Sequence, residues 1–379
     1  MEHIRSHPLL TPLVSLAIIA TGLLGLVRAD ELYGRSMLVE RQMIWIMMAV
    51  PIMLICGHIP LRLVKAASLP FYGACILLLA VTLLMPPVNG SRRWIPLGLF
   101  DLQPSEPARL AFILALASWL MYRHSQRTVT GLIPPLVLAL LPMLLIVREP
   151  DLDTALLFVP ILYAMLFVAG ARTSHLLAAT LMGLLCLPIL WSQMSAEQRS
   201  RIVTVFTQQD GGLAPSGDGF HLHQSKQVLA LGGFWGSRQQ EEPPIEDRVA
   251  WQLPASRTDF VFVMIGEAFG FPGCAILLLL YCVLIFQGLS VARKTREPFA
   301  RLVAAGIVTQ ICAQTILNTG MTVGLLPITG TTLPLCSYGG SSLLSTCAAI
   351  GLLINIQRSQ QWDVHAEPFD FGRFTSHPV

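Results

Sequence analysis

Charge is what this sequence has least of. Only 12% of its residues are Asp, Glu, Lys or Arg, against about 25% in soluble domains. Apolar residues make up 54% and mean hydropathy is +0.63, which excludes a soluble globular enzyme and leaves an integral membrane protein. Paired cysteines are missing as well. The eight cysteines fall almost all within apolar runs, with no C-x-x-C pair, so neither a disulfide framework nor a cysteine metal site is indicated, and small apolar packing is the expected role. Neither a nucleotide fingerprint nor a Ser-x-x-Lys acylation motif is visible. The apolar run near residues 9 to 27 has no small-residue cleavage site behind it, so it reads as a first span rather than a removable signal.

What is there is a series of apolar runs near the roughly 20 residues that a membrane-crossing helix needs. Ten fit: 9–28, 42–61, 66–86, 106–122, 131–148, 154–171, 175–193, 259–290, 301–325 and 339–356. The expected fold is therefore an all-α integral membrane protein, one domain over residues 1–379 with short tails. A large loop, 194–258, separates spans seven and eight. With the N-terminus inside, the cytoplasmic connections carry Arg62, Lys65, Arg123, Arg127, Arg172, Arg293, Lys294, Arg296, Arg301 and Arg358, and Glu297 is their only acid. That asymmetry favours both termini inside. Five polar stretches then fall on the opposite face: 89–95, 103–106, 148–154, 194–258 and 326–342. Their common sidedness argues for one extracytoplasmic site.

Asp259 closes the long polar loop and stands at the lip of span eight. A carboxylate at a water–lipid boundary is partly desolvated, which suits a base. Arg92 and Arg93 beside Trp94 read either as an interfacial anchor or as a clamp for a diphosphate. Glu106 and Arg109, three apart behind Pro107, have the spacing of a local structural pair. In Arg148-Glu149-Pro150-Asp151, followed by Asp153, one acid can cap the next helix. A further acid can hold a divalent cation such as Mg2+ or Mn2+, or orient an arginine. His221-x-His223 alone is a weak metal signal, and no metal site is expected there. Glu267, flanked by Gly266, Gly270 and Gly273, has to face the bundle or a wet cavity. Gln314 and Asn318 present two amides on one helix face, suited to interhelical hydrogen bonds. Residues 327–342 hold Pro327, Gly330, Pro334, Gly339 and Gly340, broken backbone tolerated at membrane depth only when buried or lining a cavity.

These stretches also resemble the SEDS family, the group containing RodA, FtsW and SpoVE. The resemblance rests on Arg93-Trp-Ile95, Gln103-Pro-Ser-Glu106, Glu149-Pro-Asp-Leu with Thr154-Ala155, Gln224-Ser225 with Gly232-Gly233, and Leu253-Pro254. It extends through Thr258-Asp-Phe-Val-Phe262, Gly266-Glu267, Asn318 with Gly320-Met321, Gly324-Leu-Leu-Pro-Ile-Thr-Gly330 and Ser337-Tyr-Gly-Gly-Ser-Ser342. It implies ten membrane helices and a peptidoglycan glycosyltransferase that polymerises lipid II in the bacterial inner membrane, with Asp259 as the essential aspartate. The expected partners are lipid II, membrane lipids and a class B penicillin-binding protein, and not nucleic acid. No certain cofactor is implied. Substrate contact is expected from Arg92, Arg93, Arg148, Asp151, Gln224, Ser225, Thr258, Asn318, Ser337 and Tyr338, with Glu106, Arg109 and Glu267 in support. Two readings compete with the polymerase: a non-catalytic scaffold for the penicillin-binding protein, and a lipid II flippase, which needs polar groups leading to the cytoplasmic face. The chain departs from the family pattern at Glu149 (usually Gln), Asp153 (usually Gly), Ala255 (commonly an acid), Arg109 (usually Lys) and Ala268, where many members carry a second glutamate. These changes leave room for altered acceptor use or dependence on an activator.

Overall fold

The computed structural model describes residues 9–33, 37–86, 92–96, 98, 101–122, 128, 130–208, 218–239 and 257–363. Outside them lie Asn89 to Ser91, Arg123, Arg127, the acidic stretch from Glu241 to Asp247, and Leu253-Pro254. The described residues form a helical bundle with one two-residue hairpin, in which β1 (Ile95–Pro96) pairs antiparallel with β2 (Asp101–Leu102). Among the described residues, seven helices are long and apolar enough to cross a membrane: 10–32, 38–56, 61–82, 130–148, 261–294, 298–322 and 340–360.

The helices in order are α1 (Leu10–Tyr33), α2 (Leu38–Cys56), α3 (Leu61–Thr82), α4 (Ser105–Leu120), α5 (Ile133–Arg148), α6 (Leu152–Leu156) and α7 (Phe158–Val168). There follow α8 (Thr173–Gln193), α9 (Ala196–Thr207), α10 (Asp218–Gly232), α11 (Val261–Lys294), α12 (Pro298–Thr322) and α13 (Gly340–Asp363). Proline sets several starts: Pro134 and Pro135 occupy the first turn of α5 and Pro298 opens α12, positions where the missing N–H removes no helical bond. α4 is buried almost all round and packs between α3, α12 and α13, so it is the centre of the bundle. α1 packs on α11, and α2 on α13.

Two of the expected elements take a more specific form. The long loop 194–258 is partly helical: α9 opens with a capping box in which Ser195 and Gln198 bond each other's backbone, and α10 packs against α11. The broken backbone between α12 and α13 is buried at Thr331, Leu333, Leu335, Cys336 and Ser337, and its polar groups are met by side chains. Asn318 donates to the Thr331 carbonyl at 2.8 Å, Tyr281 donates to that of Pro334, and the Ser337 hydroxyl accepts from Leu333 N–H at 3.0 Å.

The eighth expected span bends at Gly270, whose φ of 65° and ψ of −156° interrupt α11. A Cβ there would stand 2.3 Å from the Phe234 carbonyl oxygen, while Phe271 N–H donates to that same oxygen at 3.0 Å. Both the backbone region and the close approach demand glycine. Gly270→Ala is expected to destabilise the protein by about 2 kcal/mol or more, read as a lower thermal midpoint in detergent; an unchanged midpoint would mean that this junction yields freely.

Candidate functional site

The five polar stretches meet at one end of the bundle. Gln103 N–H donates to Ser341 Oγ at 3.1 Å, joining the second to the fifth. Arg93 Nε lies 3.6 Å from Asp151 Oδ2, and an Arg93 guanidinium N–H donates to the Pro150 carbonyl, joining the first to the third. Arg201 Nη1 lies 3.6 Å from Asp153 Oδ2, which also accepts from Gly330 N–H at 3.4 Å. Loop 194–258 is thereby tied to the third and fifth stretches.

Asp259 sits in the turn 257–260 just ahead of α11, partly buried. Asn318 in α12 fixes its backbone, donating to the Asp259 carbonyl oxygen at 2.9 Å and to that of Thr331 with the same amide. Asn318 thus ties α12 to the turn ahead of α11 and to the broken backbone, rather than bonding one helix to another. Across from the carboxylate, a Cβ on Gly330 would lie 4.0 Å from both Asp259 Oδ2 and Arg93 Nη1. Glycine keeps a notch open between base and cation. Burial pushes the Asp259 carboxyl up to about 6; the Thr258 hydrogen bond and the Arg93 and Arg201 charges pull it back, and Asp153 pushes it further. A carboxylate poised near neutrality, next to two arginines, can take a proton while a neighbouring anion is held.

Asp151 caps α6, its Oδ1 accepting from Thr154 N–H at 3.2 Å, and its other oxygen faces Arg93. One acid thus caps the helix, and the others have separate tasks. Glu149 is fully buried just beyond α5, in contact with the Thr82 hydroxyl. That hydroxyl has one proton and also lies 2.6 Å from the Leu79 carbonyl oxygen. If it donates to the carbonyl, the carboxyl has to supply the second proton and be neutral. The electrostatics agree: burial pushes Glu149 up to about 7, against the pull of Thr82, with Asp151 raising it and Arg93 lowering it. The folded chain therefore holds this proton at pH values where the unfolded chain has lost it. The stabilisation is present below the ordinary carboxylate range and is lost as pH rises through about 7. Glu149→Gln keeps a donor and removes the titration, so its thermal midpoint should equal that of the parent at pH 5 and exceed it at pH 8. Equal midpoints at both values would show the carboxyl to be ionised throughout.

Thr258 stays beside Asp259 and hydrogen-bonds its carboxylate; Arg92 is exposed and donates to the Leu83 carbonyl at 2.9 Å. Arg148, in the last turn of α5, is exposed. Ser225 donates to the Thr322 carbonyl at 2.7 Å and Gln224 is buried next to it; Ser337 caps its own loop, and Tyr338 N–H donates to the Arg257 carbonyl at 3.2 Å. Glu106 and Arg109 form the expected i,i+3 pair, buried in α4. Glu267 faces the bundle, where the Arg28 guanidinium grips both its oxygens at 2.7 Å. His223 Nε2 meets Gln227 at 2.7 Å. Among the described residues no group of three or more His, Cys, Asp or Glu side chains is arranged to hold a metal ion; the acids at 151 and 153 face arginines instead.

Arg201 was not among the expected site residues. It is one of two arginines, with Arg199, in a short helix, and no spacing connects it to Asp153 forty-eight residues earlier. Arg257, two residues before Asp259, turns away to Asp30 at 2.9 Å.

Comparison with known proteins points one way. Residues 7–362 match the family described as "Cell cycle protein", that of FtsW, RodA and SpoVE. Stage V sporulation protein E of Bacillus subtilis is 36% identical over 303 residues, covering 76% of this chain and 78% of that protein. Peptidoglycan glycosyltransferase MrdB of Escherichia coli K12 is 32% identical over 327 residues, covering 84% and 85%. Among solved structures, a chain from a peptidoglycan synthase complex that coordinates polymerisation and crosslinking superposes with a TM-score of 0.78 at 30% identity, covering 92% of this chain and 97% of that one. Rod shape determining protein RodA of Thermus thermophilus gives 0.68 at 27% identity, covering 92% and 96%.

Proposed function

This chain belongs to the FtsW, RodA and SpoVE family, and from that premise we propose that it joins lipid II units into β-1,4 glycan strands with Asp259 as the base. It is a multi-pass protein of the inner membrane and a peptidoglycan glycosyltransferase, the activity named for its relatives. The helices α4, α6 with α7, and α8 supply three further crossings, making ten, with both termini inside and Asp259 on the outer face.

The reaction proposed is an inverting glycosyl transfer. The Asp259 carboxylate accepts the proton of the acceptor sugar's 4-hydroxyl, whose oxygen attacks C1 of the donor. The C1–oxygen bond to undecaprenyl diphosphate breaks, and its electron pair leaves with the diphosphate. Attack opposite the leaving group inverts C1. Arg93, beside Asp259 across the Gly330 notch, stabilises the charge that develops on the leaving diphosphate, a task for a preorganised guanidinium. The observation that carries this reading is the carboxylate raised to about 6 with that arginine beside it. Sidedness speaks against a transporter: the acids that pair with Arg93 and Arg201 gather with Asp259 at one end of the bundle, while the opposite connections are basic with Glu297 as their only acid.

A class B penicillin-binding protein supplies the crosslinking step, since the chain has no acylation motif of its own. The test is glycan-strand formation from purified lipid II by the detergent-solubilised protein, alone and with that partner. Long strands are expected. No polymer even with a verified partner would replace the enzyme with a scaffold.

A further inference from the structure

At the other end of the bundle stands an arrangement that the glycan chemistry does not use. Arg358 lies 18 residues beyond Gly340 in α13, about 27 Å away at the rise of a helix, where α13 meets the turn joining α2 to α3. Residues 57–61 with Asn355, Arg358 and Ser359 line a cavity of about 220 Å³ there. A second cavity of about 450 Å³ opens beside it, lined by Leu54, Ile55, His58 and Ile59. His58 and Ile59 border both, and Leu54 and Ile55 are more than half exposed.

The two cavities differ in chemistry. The carbonyl oxygens that end α2 are already taken: Gly57 N–H bonds that of Met53 at 3.0 Å, His58 N–H that of Ile55 at 2.9 Å, and the Asn355 amide that of Cys56 at 3.0 Å. Arg358 cannot accept a hydrogen bond. His58 Nε2 therefore accepts from it, and His58 Nδ1 donates to the Leu54 carbonyl at 2.8 Å. Asn355, buried in α13, also donates to the Ile59 carbonyl, which fixes the turn. What is left over is a set of donors. The exposed Arg358 guanidinium has no acid partner among the described residues. Pro60 gives α3 no side-chain cap, leaving the first N–H groups of that helix free.

We propose that the joined cavities hold one anionic diacyl phospholipid, its phosphate against Arg358 and the first turn of α3 and an acyl chain along Leu54 and Ile55. With both termini inside, as proposed above, the lipid belongs to the cytoplasmic leaflet, and the site is independent of the polymerase reaction. A guanidinium grips phosphate oxygens through two N–H groups, and basic pockets between membrane helices on the cytoplasmic side select anionic headgroups. A free phosphate leaves the apolar cavity empty, and a zwitterionic lipid brings a cation of its own against Arg358. The lipid touches α2, the α2–α3 turn and α13 together. It therefore binds the packed bundle better than the unfolded chain and stabilises it by mass action.

The test is binding and thermal unfolding of the full-length protein in a neutral detergent, with phosphatidylglycerol, phosphatidylcholine or inorganic phosphate added at equal concentration. Phosphatidylglycerol should raise the thermal midpoint, and the other two should not. Arg358→Gln should weaken phosphatidylglycerol binding about fivefold, the usual share of one basic residue at an anionic membrane surface. It should leave the lipid-free midpoint alone, because the side chain is exposed. Ile55→Trp, which fills the apolar cavity, should weaken binding as well. Arg293→Ala, at another exposed arginine of the same membrane face, should not. Equal effects of the two lipids, or equal losses in Arg358→Gln and Arg293→Ala, would reduce the attraction to general charge and overturn the site. A full response to inorganic phosphate would replace the lipid by a free anion. Stronger binding of undecaprenyl diphosphate than of phosphatidylglycerol would assign the site to the lipid-linked precursor instead.

Discussion

Asp259→Ala and Asp259→Asn should reduce glycan polymerisation by about 10²–10⁴-fold, the usual contribution of a positioned general base. Asparagine is the sharper variant. It keeps the shape of the side chain, and the Asn318 bond is made to the backbone oxygen of residue 259, so the fold should survive while proton acceptance is lost. Because burial raises the carboxyl to about 6, the active, ionised form is scarce at pH 5 and nearly complete at pH 8. The rate should rise through that interval and level off. Arg93 pulls the carboxyl down, so Arg93→Ala should shift the midpoint to higher pH as well as weaken hold on the leaving group. The measurement is polymer length and initial rate from lipid II across pH 5 to 8, with thermal unfolding in parallel. Polymer formed at the parental rate by either Asp259 variant would place the base on another carboxylate.

Much of this arrangement was legible because a membrane leaves polar residues few places to be. Asp259, Asp151, Asn318 and the broken 327–342 backbone stood out against apolar surroundings, and sidedness alone grouped them. Local spacing carried further information: the i,i+3 offset announced the Glu106–Arg109 pair, and the acids ahead of Thr154 announced a cap on α6 without choosing between Asp151 and Asp153. Partners far apart in the chain stayed hidden. Arg201 with Asp153, Arg257 with Asp30 and Arg28 with Glu267 are joined by packing of whole helices, which no periodicity encodes. Density in sequence also did not separate Arg148 from its neighbours. It belongs to the same charged run as Asp151, but it lies in the last turn of α5 and is exposed, whereas the chain then turns and buries both Glu149 and Asp151.

Arg28→Ala should have the second large effect, this time on folding. Glu267 is 3% exposed within α11. Arg28 from α1 meets both of its oxygens, and Ser237 bonds to the same carboxylate and to the guanidinium. Removing the arginine strands a desolvated charge, which typically costs about 3–5 kcal/mol, whereas replacing both partners with apolar residues of similar volume is often close to neutral. Arg28→Ala should therefore lower the thermal midpoint and yield sharply, and Arg28→Met with Glu267→Met should recover most of the loss. The same clamp bears on catalysis. Glu267 is eight residues beyond Asp259, on the helix that positions it, and α1 grips the turn ahead of that helix a second time through Asp30 and Arg257. A loosened α1–α11 contact displaces the base from its notch, so surviving Arg28→Ala protein should polymerise slowly with the pH midpoint of the parent, in contrast to Arg93→Ala. If the double apolar variant were as unstable as Arg28→Ala, packing rather than the unpaired carboxylate would be the cause.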